Sequence, residues 1–188
     1  ARKIARTISA FANTDGGRLL IGVKDNGMIA GVNAEEEMHM MEAAAQVYCN
    51  PPVGLEVQFW KVDYKTVIEV NIAPSQNRPH LAKLEDGTWK AFVRRNDENF
   101  LAPAVLLEVW KSDDVDRPNK FFYTEKEKRI FQSLKEFQKL SQNQIAKRAG
   151  INRMALTKLL SRLVRWGLLE VKFEQNQVLF ELSDNVDE

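Results

Sequence analysis

Polar and cationic side chains that could contact nucleic acid recur between residues 142 and 177. Near the start of a helix that enters the DNA major groove, side chains reach base edges, and arginine can donate two hydrogen bonds to guanine O6 and N7. The candidates for base contacts are Gln142, Gln144, Arg153, Thr157 and Lys158. Other cations suit phosphates, whose contacts fix the register of a protein on DNA without reading sequence. The candidates for these contacts are Lys147, Arg148, Arg162 and Arg165.

The spacing of caps and apolar residues over residues 141–166 predicts two helices joined by a tight turn. Ser141 is followed three residues later by Gln144, a capping-box start, and Gly150 suits the left-handed conformation of a helix exit. Asn152 then caps a longer helix whose apolar residues recur at three- and four-residue spacing. That stripe comprises Leu156, Leu159, Leu160, Leu163 and Val164, leaving Arg153, Thr157, Lys158, Ser161, Arg162 and Arg165 for the other faces. This arrangement predicts a helix-turn-helix.

An amphipathic helix is predicted before this pair and a hairpin after it. Thr124 and Glu127 form a second capping box, and the apolar stripe that follows comprises Ile130, Leu134, Phe137 and Leu140. Two alternating apolar segments flank the polar residues 174–177, which is typical of a hairpin.

The order helix, helix, helix, hairpin resembles the winged helix-turn-helix domains of bacterial regulators over roughly 60 residues. The resemblance implies that the third helix and the wing contact duplex DNA. The wing contacts would come from Lys172, Gln175, Asn176 and Gln177. Because such domains usually bind paired half-sites, we expect a homodimer.

The charge distribution supports contact with a polyanion at this end of the chain. The whole sequence has a net charge of +1. Residues 123–182 contain 12 Lys and Arg against 6 Asp and Glu, a net charge of +6, so the remainder carries −5. A solvated helical surface is the alternative explanation, since Lys and Arg are common on exposed helix faces. The coincidence of this charge with the helix-turn-helix pattern favours nucleic acid.

The first third of the chain carries a glycine-rich motif. An amphipathic helix over residues 1–11 leads into Asn13-Thr14-Asp15-Gly16-Gly17, an apolar run over residues 18–23 typical of a buried strand, and a hairpin signal at Asp25-Asn26-Gly27. Residues 8–17, Ile-Ser-Ala-Phe-Ala-Asn-Thr-Asp-Gly-Gly, followed by Leu-Leu-Ile-Gly-Val and Gly31, resemble the Schlafen-type AlbA_2 domain, also called divergent AAA_4. The match is close through this motif and looser to about Trp110. In that family a strand bearing Glu and Lys precedes the helix; this sequence begins at Ala1 without it, so we expect a fragment.

The AlbA_2 resemblance implies a second functional class, because Schlafen relatives include RNA-cleaving nucleases with clustered carboxylates and others are described as ATP-binding. Asp15, Asp25 and Asp63 alone do not form a catalytic constellation, and no G-x-x-x-x-G-K-[ST] loop occurs. We therefore predict a binder without catalytic residues, metal or cofactor, with a Schlafen-like metal-dependent nuclease or nucleotide-responsive protein as the alternative.

The resemblance also implies a second surface, where the Gly-Gly turn lies beside the end of a strand that carries arginines. This surface could bind an anion or nucleic acid, with RNA as a second candidate partner. Its candidates are Asn13, Asp15, Gly16, Gly17, Arg94 and Arg95. A plain helix exit is the favoured explanation of the glycines, because turns need such residues anyway. An arginine at a strand end is as commonly a salt-bridge partner as an anion ligand. His39 and His80 lack neighbours at zinc-ligand spacing, which favours packing or surface roles.

The remaining patterns predict an α+β fold in two domains. Helices are predicted over residues 34–49 and 102–111, and strands over residues 55–62, 67–72 and 88–94. We therefore predict an AlbA_2-like domain over residues 1–111, with a mixed sheet and flanking helices, a linker over 112–122 and a winged helix-turn-helix over 123–188.

Composition limits the setting of the protein. No apolar run approaches the ~20 residues of a membrane span, so no membrane partner is expected. The single cysteine, Cys49, can form no internal disulfide, which favours a reducing, cytoplasmic setting.

Overall fold

The computed structural model describes residues 1–111 and 123–184 and divides the chain into two compact units, Ala1–Ala102 and Pro103–Glu188. The predicted linker, residues 112–122, lies outside the described residues. Within the described ranges, no helix is both long and apolar enough to cross a membrane.

The first unit combines two helices with two small sheets, an α+β architecture as predicted. Its elements are α1 (Arg2–Ala12), β1 (Gly17–Ile21), α2 (Ala34–Gln46), β2 (Cys49–Asn50), β3 (Glu56–Val62), β4 (Lys65–Ile72), β5 (Leu81–Lys83), β6 (Trp89–Arg95) and β7 (Glu98–Leu101). The strand orders are β1-β4-β3 and β2-β5-β6-β7. Every pairing between these described strands is antiparallel, so the prediction of a mixed sheet was wrong. Short hairpin connections, such as residues 63–64 between β3 and β4, require antiparallel neighbours.

The core of the first unit forms around α1. Its Ile8 side chain is fully buried and packs with Met41 of α2 and Ile68 of β4, while Lys3 is exposed. Burial of a side chain such as Ile8 contributes about 1.5–3 kcal/mol. The amphipathic pattern read from residues 1–11 thus corresponds to the helix that organises this unit.

Two predicted elements near the glycine motif need correction. The apolar run at residues 18–23 was expected to be a buried strand, but β1 is an edge strand with alternating burial, and Leu20 is 49% exposed. Gly27 closes a turn by donating its N–H to the Lys24 carbonyl, as predicted. The returning segment is not a named strand, and it pairs over a short stretch through the bridge between Val23 and Ile29 and hydrogen bonds such as that from the Ala30 N–H to the Gly22 carbonyl.

Helix α2 ends at Gln46 rather than at residue 49. Cys49 instead lies in β2, where it is buried, and burial raises the pKa of its thiol to about 12. Its antiparallel pairing with Ala82 supplies backbone partners that override the helical pattern.

The second unit contains four helices and three short strands among the described residues. They are α3 (Ala104–Lys111), α4 (Glu125–Phe137), β8 (Leu140–Ser141), α5 (Gln142–Ala149), α6 (Arg153–Arg165), β9 (Leu169–Glu174) and β10 (Gln177–Leu182). The strands form one antiparallel sheet in the order β8-β10-β9. Helix α3 was predicted to close the first domain, but it contacts α6 and buries Val105 in the second core. The observed division therefore falls after Ala102 rather than after residue 111.

Local capping chemistry determines where the helices of the second unit begin. Thr124 and Ser141 both form the predicted capping boxes, and the Asn152 side chain accepts a hydrogen bond from the Ala155 N–H. Gly150 ends α5 in the left-handed conformation, with φ of 67°. Leu140, predicted to continue the stripe of α4, instead enters β8 and is buried there.

Candidate nucleic-acid interface

Helices α5 and α6 are joined by a hydrogen bond between two of the predicted base-contacting residues. The Gln142 Nε2 donates to the Thr157 Oγ1 over 2.7 Å, and the Thr157 hydroxyl donates to the Arg153 carbonyl over 2.9 Å. Gln144 is also engaged, because its side-chain oxygen accepts from the Ser141 N–H over 2.8 Å. Gln142 and Thr157 therefore connect the two helices, whereas Gln144 caps the start of its own helix and remains exposed.

Three predicted cations remain on the exposed surface of this helix pair. Lys147 on α5 and Arg153 and Lys158 on α6 are exposed, and no carboxylate among the described residues forms an ion pair with any of them. Met154, beside Arg153, is 74% exposed. A cleft of about 240 Å³ lies next to Arg153 between the start of α5 and β10. The first half of α6 thus presents positive charge to solvent without internal compensation.

The Arg148 guanidinium is exposed but lies on an aromatic ring. It stands 3.6 Å from the centre of the Phe137 ring at the end of α4. A cation over an aromatic face is stabilised by the ring quadrupole. Arg148 therefore connects α4 with α5 while its outer edge still faces water.

Arg162, predicted to contact phosphate, is instead paired with an acidic residue. Its guanidinium donates to Glu127, whose side chain is only 6% exposed, and it also lies 5.1 Å from the Trp166 ring. Burial alone would raise the pKa of Glu127, but hydrogen bonds from Thr124, together with Arg162, lower it below its usual value. The apolar spacing of α6 could not predict the ion pair between Arg162 and Glu127, because Glu127 lies 35 residues earlier in the chain.

Two other predicted contacts are also occupied or covered. Arg165 is half-buried, and Ser161, assigned to an outer face of α6, is buried with its hydroxyl on the Lys158 carbonyl. Lys172 on β9 donates to Glu170 over 2.7 Å and pairs with Glu181 over 2.9 Å, which raises the pKa of the lysine. The turn at the tip of the hairpin, by contrast, exposes Gln175 and Asn176 as well as Gln177.

In the first unit, the predicted Gly-Gly surface brings Asp15 and Arg95 together. The Arg95 guanidinium lies 3.6 Å from the Asp15 carboxylate. Arg94 donates to Asn99 over 2.9 Å, pairs with Asp97 at 3.9 Å, and its backbone N–H donates to the Thr14 hydroxyl. Both arginines therefore lie close to the helix exit, as the resemblance implied, and both have carboxylate partners there.

Asn13 does not belong to that surface, because it is only 2% exposed. Its amide donates to the His80 and Phe92 carbonyls over 2.8 and 2.9 Å, and its oxygen accepts from the His80 N–H over 2.7 Å. Asn13 thus crosslinks the end of α1 to two distant parts of the chain. The sequence motif contained this residue but gave no indication of its partners.

His80 completes this buried connection. Its Nδ1 lies 2.8 Å from the Pro51 carbonyl oxygen and its Nε2 lies 2.7 Å from the Ser75 hydroxyl. Because a carbonyl oxygen only accepts, Nδ1 carries a proton and donates to Pro51, while Nε2 shares a hydrogen bond with the Ser75 hydroxyl. The packing role favoured for a lone histidine is the one that the structure provides.

The two glycines of the motif are explained by close packing. A Cβ on Gly16 would lie 2.6 Å from the Ile72 carbonyl oxygen, and one on Gly17 would lie 2.5 Å from the Phe11 ring. Gly16 also has φ of 77°, which favours glycine. The helix exit interpretation therefore accounts for both positions.

The carboxylates considered for metal binding are not gathered together. Within residues 1–111 and 123–184, no group of three or more His, Cys, Asp or Glu residues is placed to hold a metal ion. Asp15 has Arg95 as its neighbour, whereas Asp25 and Asp63 lie in turns outside the named strands.

Comparison with known proteins identifies the first unit. The chain is similar to the DIP2311 protein from Corynebacterium diphtheriae, whose crystal structure matches 58% of this chain with 20% identity and a TM-score of 0.46, and the match spans 19% of that protein. The sequence profile of the family described as Schlafen, AlbA_2 matches residues 1–103, which confirms the resemblance read from the glycine motif. The chain therefore belongs to the Schlafen AlbA_2 family.

Proposed function

We propose that this protein is a cytoplasmic transcriptional regulator that binds duplex DNA through a winged helix-turn-helix in its second unit. In this proposal the protein is a binder and not a catalyst, and it needs no cofactor. Membership in the Schlafen AlbA_2 family associates the chain with nucleic-acid-related function. The first unit would serve nucleic-acid binding, sensing or assembly.

The observation that carries the proposal is the uncompensated positive charge on α5 and α6. Lys147, Arg153 and Lys158 are exposed and have no carboxylate partner among the described residues, whereas Arg162 and Lys172 of the same unit are paired. Exposed cations without internal partners can neutralise DNA phosphates and so release the counterions condensed on the DNA, which favours binding. Arg153 and Lys158 lie in the first half of α6, the part that a recognition helix inserts into the major groove.

The arrangement of elements supports the same assignment. Helix α5 is joined to α6 by a turn of three residues, 150–152, and the β9–β10 hairpin follows α6 after residues 166–168. A hairpin in this position is where the wing of a winged helix lies. Its exposed tip at Gln175 and Asn176 would contact the phosphate backbone beside the groove.

The proposal is tested by fluorescence anisotropy with the full chain, a labelled DNA duplex and a single-stranded RNA of equal length. We expect the wild-type chain to bind the duplex. A triple variant that combines Lys147→Ala, Arg153→Ala and Lys158→Ala should bind it at least about tenfold more weakly. A matched control removes three cations from α1, by Arg2→Ala, Lys3→Ala and Arg6→Ala, and should leave duplex affinity within about twofold.

Equal losses in both triple variants would show that only total charge matters and would remove the case for α6. Binding of RNA alone, weakened by the α1 variant, would place the nucleic-acid site in the first unit.

A further inference from the structure

Strand β3 is an exposed edge of the three-stranded sheet in the first unit. The sheet order is β1-β4-β3, so β3 pairs on one side only, through seven continuous register positions from Glu56↔Asn71 to Val62↔Lys65. An edge strand carries N–H and C=O groups that can pair with another strand. The free side of β3 is therefore a candidate interaction surface.

The turn between β3 and β4 determines which backbone groups point outward. Asp63 and Tyr64, with φ of 48° and 64°, form a two-residue turn closed by Val62 and Lys65. In such a hairpin the closing pair exchanges both hydrogen bonds, and hydrogen-bonded pairs then alternate along the ladder. Even-numbered positions of β3 consequently bond to β4, which leaves the odd-numbered positions directed outward.

An independent contact agrees with this alternation. Thr66, opposite Lys61 in the register, accepts a hydrogen bond at its carbonyl from the Val32 N–H over 3.0 Å. The Thr66 backbone thus faces away from β3, as expected for a pair that exchanges no bonds. The outward donors and acceptors of β3 are therefore those of Val57, Phe59 and Lys61.

Three apolar side chains along this edge are exposed, among the polar residues Glu56, Gln58 and Lys61. Phe59 is 53% exposed, Trp60 46% and Val62 37%, with Phe59 and Trp60 on opposite faces of the strand. The strand contains no proline, and its unbroken register contains no bulge. Natural edge strands are usually protected by prolines, bulges or charges, and of these β3 has only the charges of Glu56 and Lys61. An edge with this little protection and three exposed apolar side chains is typical of one that has a partner.

The charge of this sheet favours a protein partner over a nucleic acid. The strands and the connecting turn carry Arg18, Lys61 and Lys65 against Glu56, Asp63 and Glu69, a balance of zero. The Trp60 indole also donates to Glu69 over 2.9 Å, which places a carboxylate beside the most suitable stacking ring. A polyanion would meet no excess positive charge here, whereas a second neutral edge would meet no repulsion.

We propose that β3 is a self-association edge, where it pairs antiparallel with β3 of a second copy about a two-fold axis at Phe59. This register opposes Phe59 to Phe59 and Val57 to Lys61, so every outward N–H of these residues meets an outward carbonyl. It uses the full length of the strand and keeps the core faces of the two sheets on one side. The pairing locates the dimer contact of the proposed regulator, and its test contains no DNA, so that its failure leaves the DNA-binding proposal standing.

The experiment is sedimentation equilibrium of the full chain over a concentration series, with the variants Lys61→Pro, Lys61→Ala and Phe59→Lys. Proline at position 61 removes an outward donor and none that bonds to β4, while alanine retains that donor. We expect the wild type and Lys61→Ala to dimerise alike and Lys61→Pro to dimerise at least about tenfold more weakly. Phe59→Lys, which sets like charges opposite each other, should be monomeric.

Circular dichroism melting establishes whether each variant is folded. If Lys61→Pro does not fold, the comparison of wild type with Phe59→Lys still tests the proposal. A wild type that stays monomeric through the series would overturn the proposal. A dimer that both substitutions leave unchanged would overturn it as well, since it would use another surface. A monomeric chain that binds single-stranded RNA, and loses that binding on Trp60→Ala, would also overturn the proposal, because the partner of β3 would then be nucleic acid.

Discussion

Replacing Arg162 by methionine should destabilise the second unit rather than weaken DNA contact directly. The substitution keeps most of the apolar stem but removes the guanidinium that donates to the Glu127 carboxylate, which is 6% exposed. Breaking a fully buried pair costs about 3–5 kcal/mol. Here the Arg162 side chain is 45% exposed, so solvent screens the pair, and Glu127 keeps hydrogen bonds from the Thr124 N–H and hydroxyl. We therefore expect a loss of about 1–2 kcal/mol in the free energy of unfolding.

The same pair predicts a pH dependence. Hydrogen bonds from Thr124 and the pairing with Arg162 outweigh burial and lower the pKa of Glu127 in the folded state. A carboxyl of this kind stabilises the fold fully above its unfolded pKa of about 4.3, and this contribution is lost as the pH falls through the lower, folded-state pKa. The difference in stability between wild type and Arg162→Met should therefore be largest near neutral pH and shrink below about pH 4.

The assay is urea unfolding followed by circular dichroism for Arg162→Met, Glu127→Gln and the double variant, a cycle that isolates the coupling of the two side chains. Arg153→Met is the matched control, because it removes an exposed arginine of the same helix that has no carboxylate partner among the described residues. The reasoning would be refuted if Arg162→Met and Arg153→Met were equally stable and only Arg162→Met lost DNA affinity. Arg162 would then be a phosphate-contacting residue, as the sequence predicted.

Three further perturbations follow from the first unit. Gly17→Ala would place a Cβ 2.5 Å from the Phe11 ring and should lower the free energy of unfolding in urea by about 1–3 kcal/mol. The control Gly54→Ala, whose Cβ would meet nothing within 4 Å, should be close to neutral, and an equal loss of stability in both variants would contradict the packing argument. Asn13→Ala removes three buried hydrogen bonds and should lower stability by about 1–3 kcal/mol or more, so an unchanged urea midpoint would show that they contribute little. The Cys49 thiol, whose pKa burial raises to about 12, should react with a thiol reagent at pH 8 only on unfolding, and rapid labelling of native protein would contradict its burial.

Sequence reasoning succeeded where a few neighbouring residues determine the structure. The starts of α5 and α6 were predicted from Ser141 with Gln144 and from Asn152, because a cap satisfies backbone groups within three residues of itself. The β9–β10 hairpin was predicted for the same reason, since alternating segments and a short polar turn are local.

It failed where the deciding partner is distant in the chain. The apolar run of β1 gave no sign that the strand lies at a sheet edge, which depends on its pairing with β4 some 50 residues later. A pattern of apolar residues also cannot assign α3 to one of two cores. The short strands β5 and β7 were missed because three or four residues carry too little periodicity.

The candidate interface was predicted in part, for a related reason. Residue type identified the cations of α5, α6 and the hairpin, but only the folded chain distinguishes Lys158, which is exposed, from Lys172, which pairs with two glutamates. Likewise Asn13 was read as surface because turn residues usually are, although its amide is one of the most buried polar groups of its unit.

The measurement that tests the central claim most directly is the salt dependence of duplex DNA binding by the full chain and by Lys147→Ala. The wild-type affinity should fall steeply with salt, and because Lys147 is assigned to a phosphate, the variant should reduce the slope of log K against log salt by about 0.9. No binding by the wild type, or an identical slope in the variant, would contradict the claim that the exposed cations of α5 and α6 contact DNA.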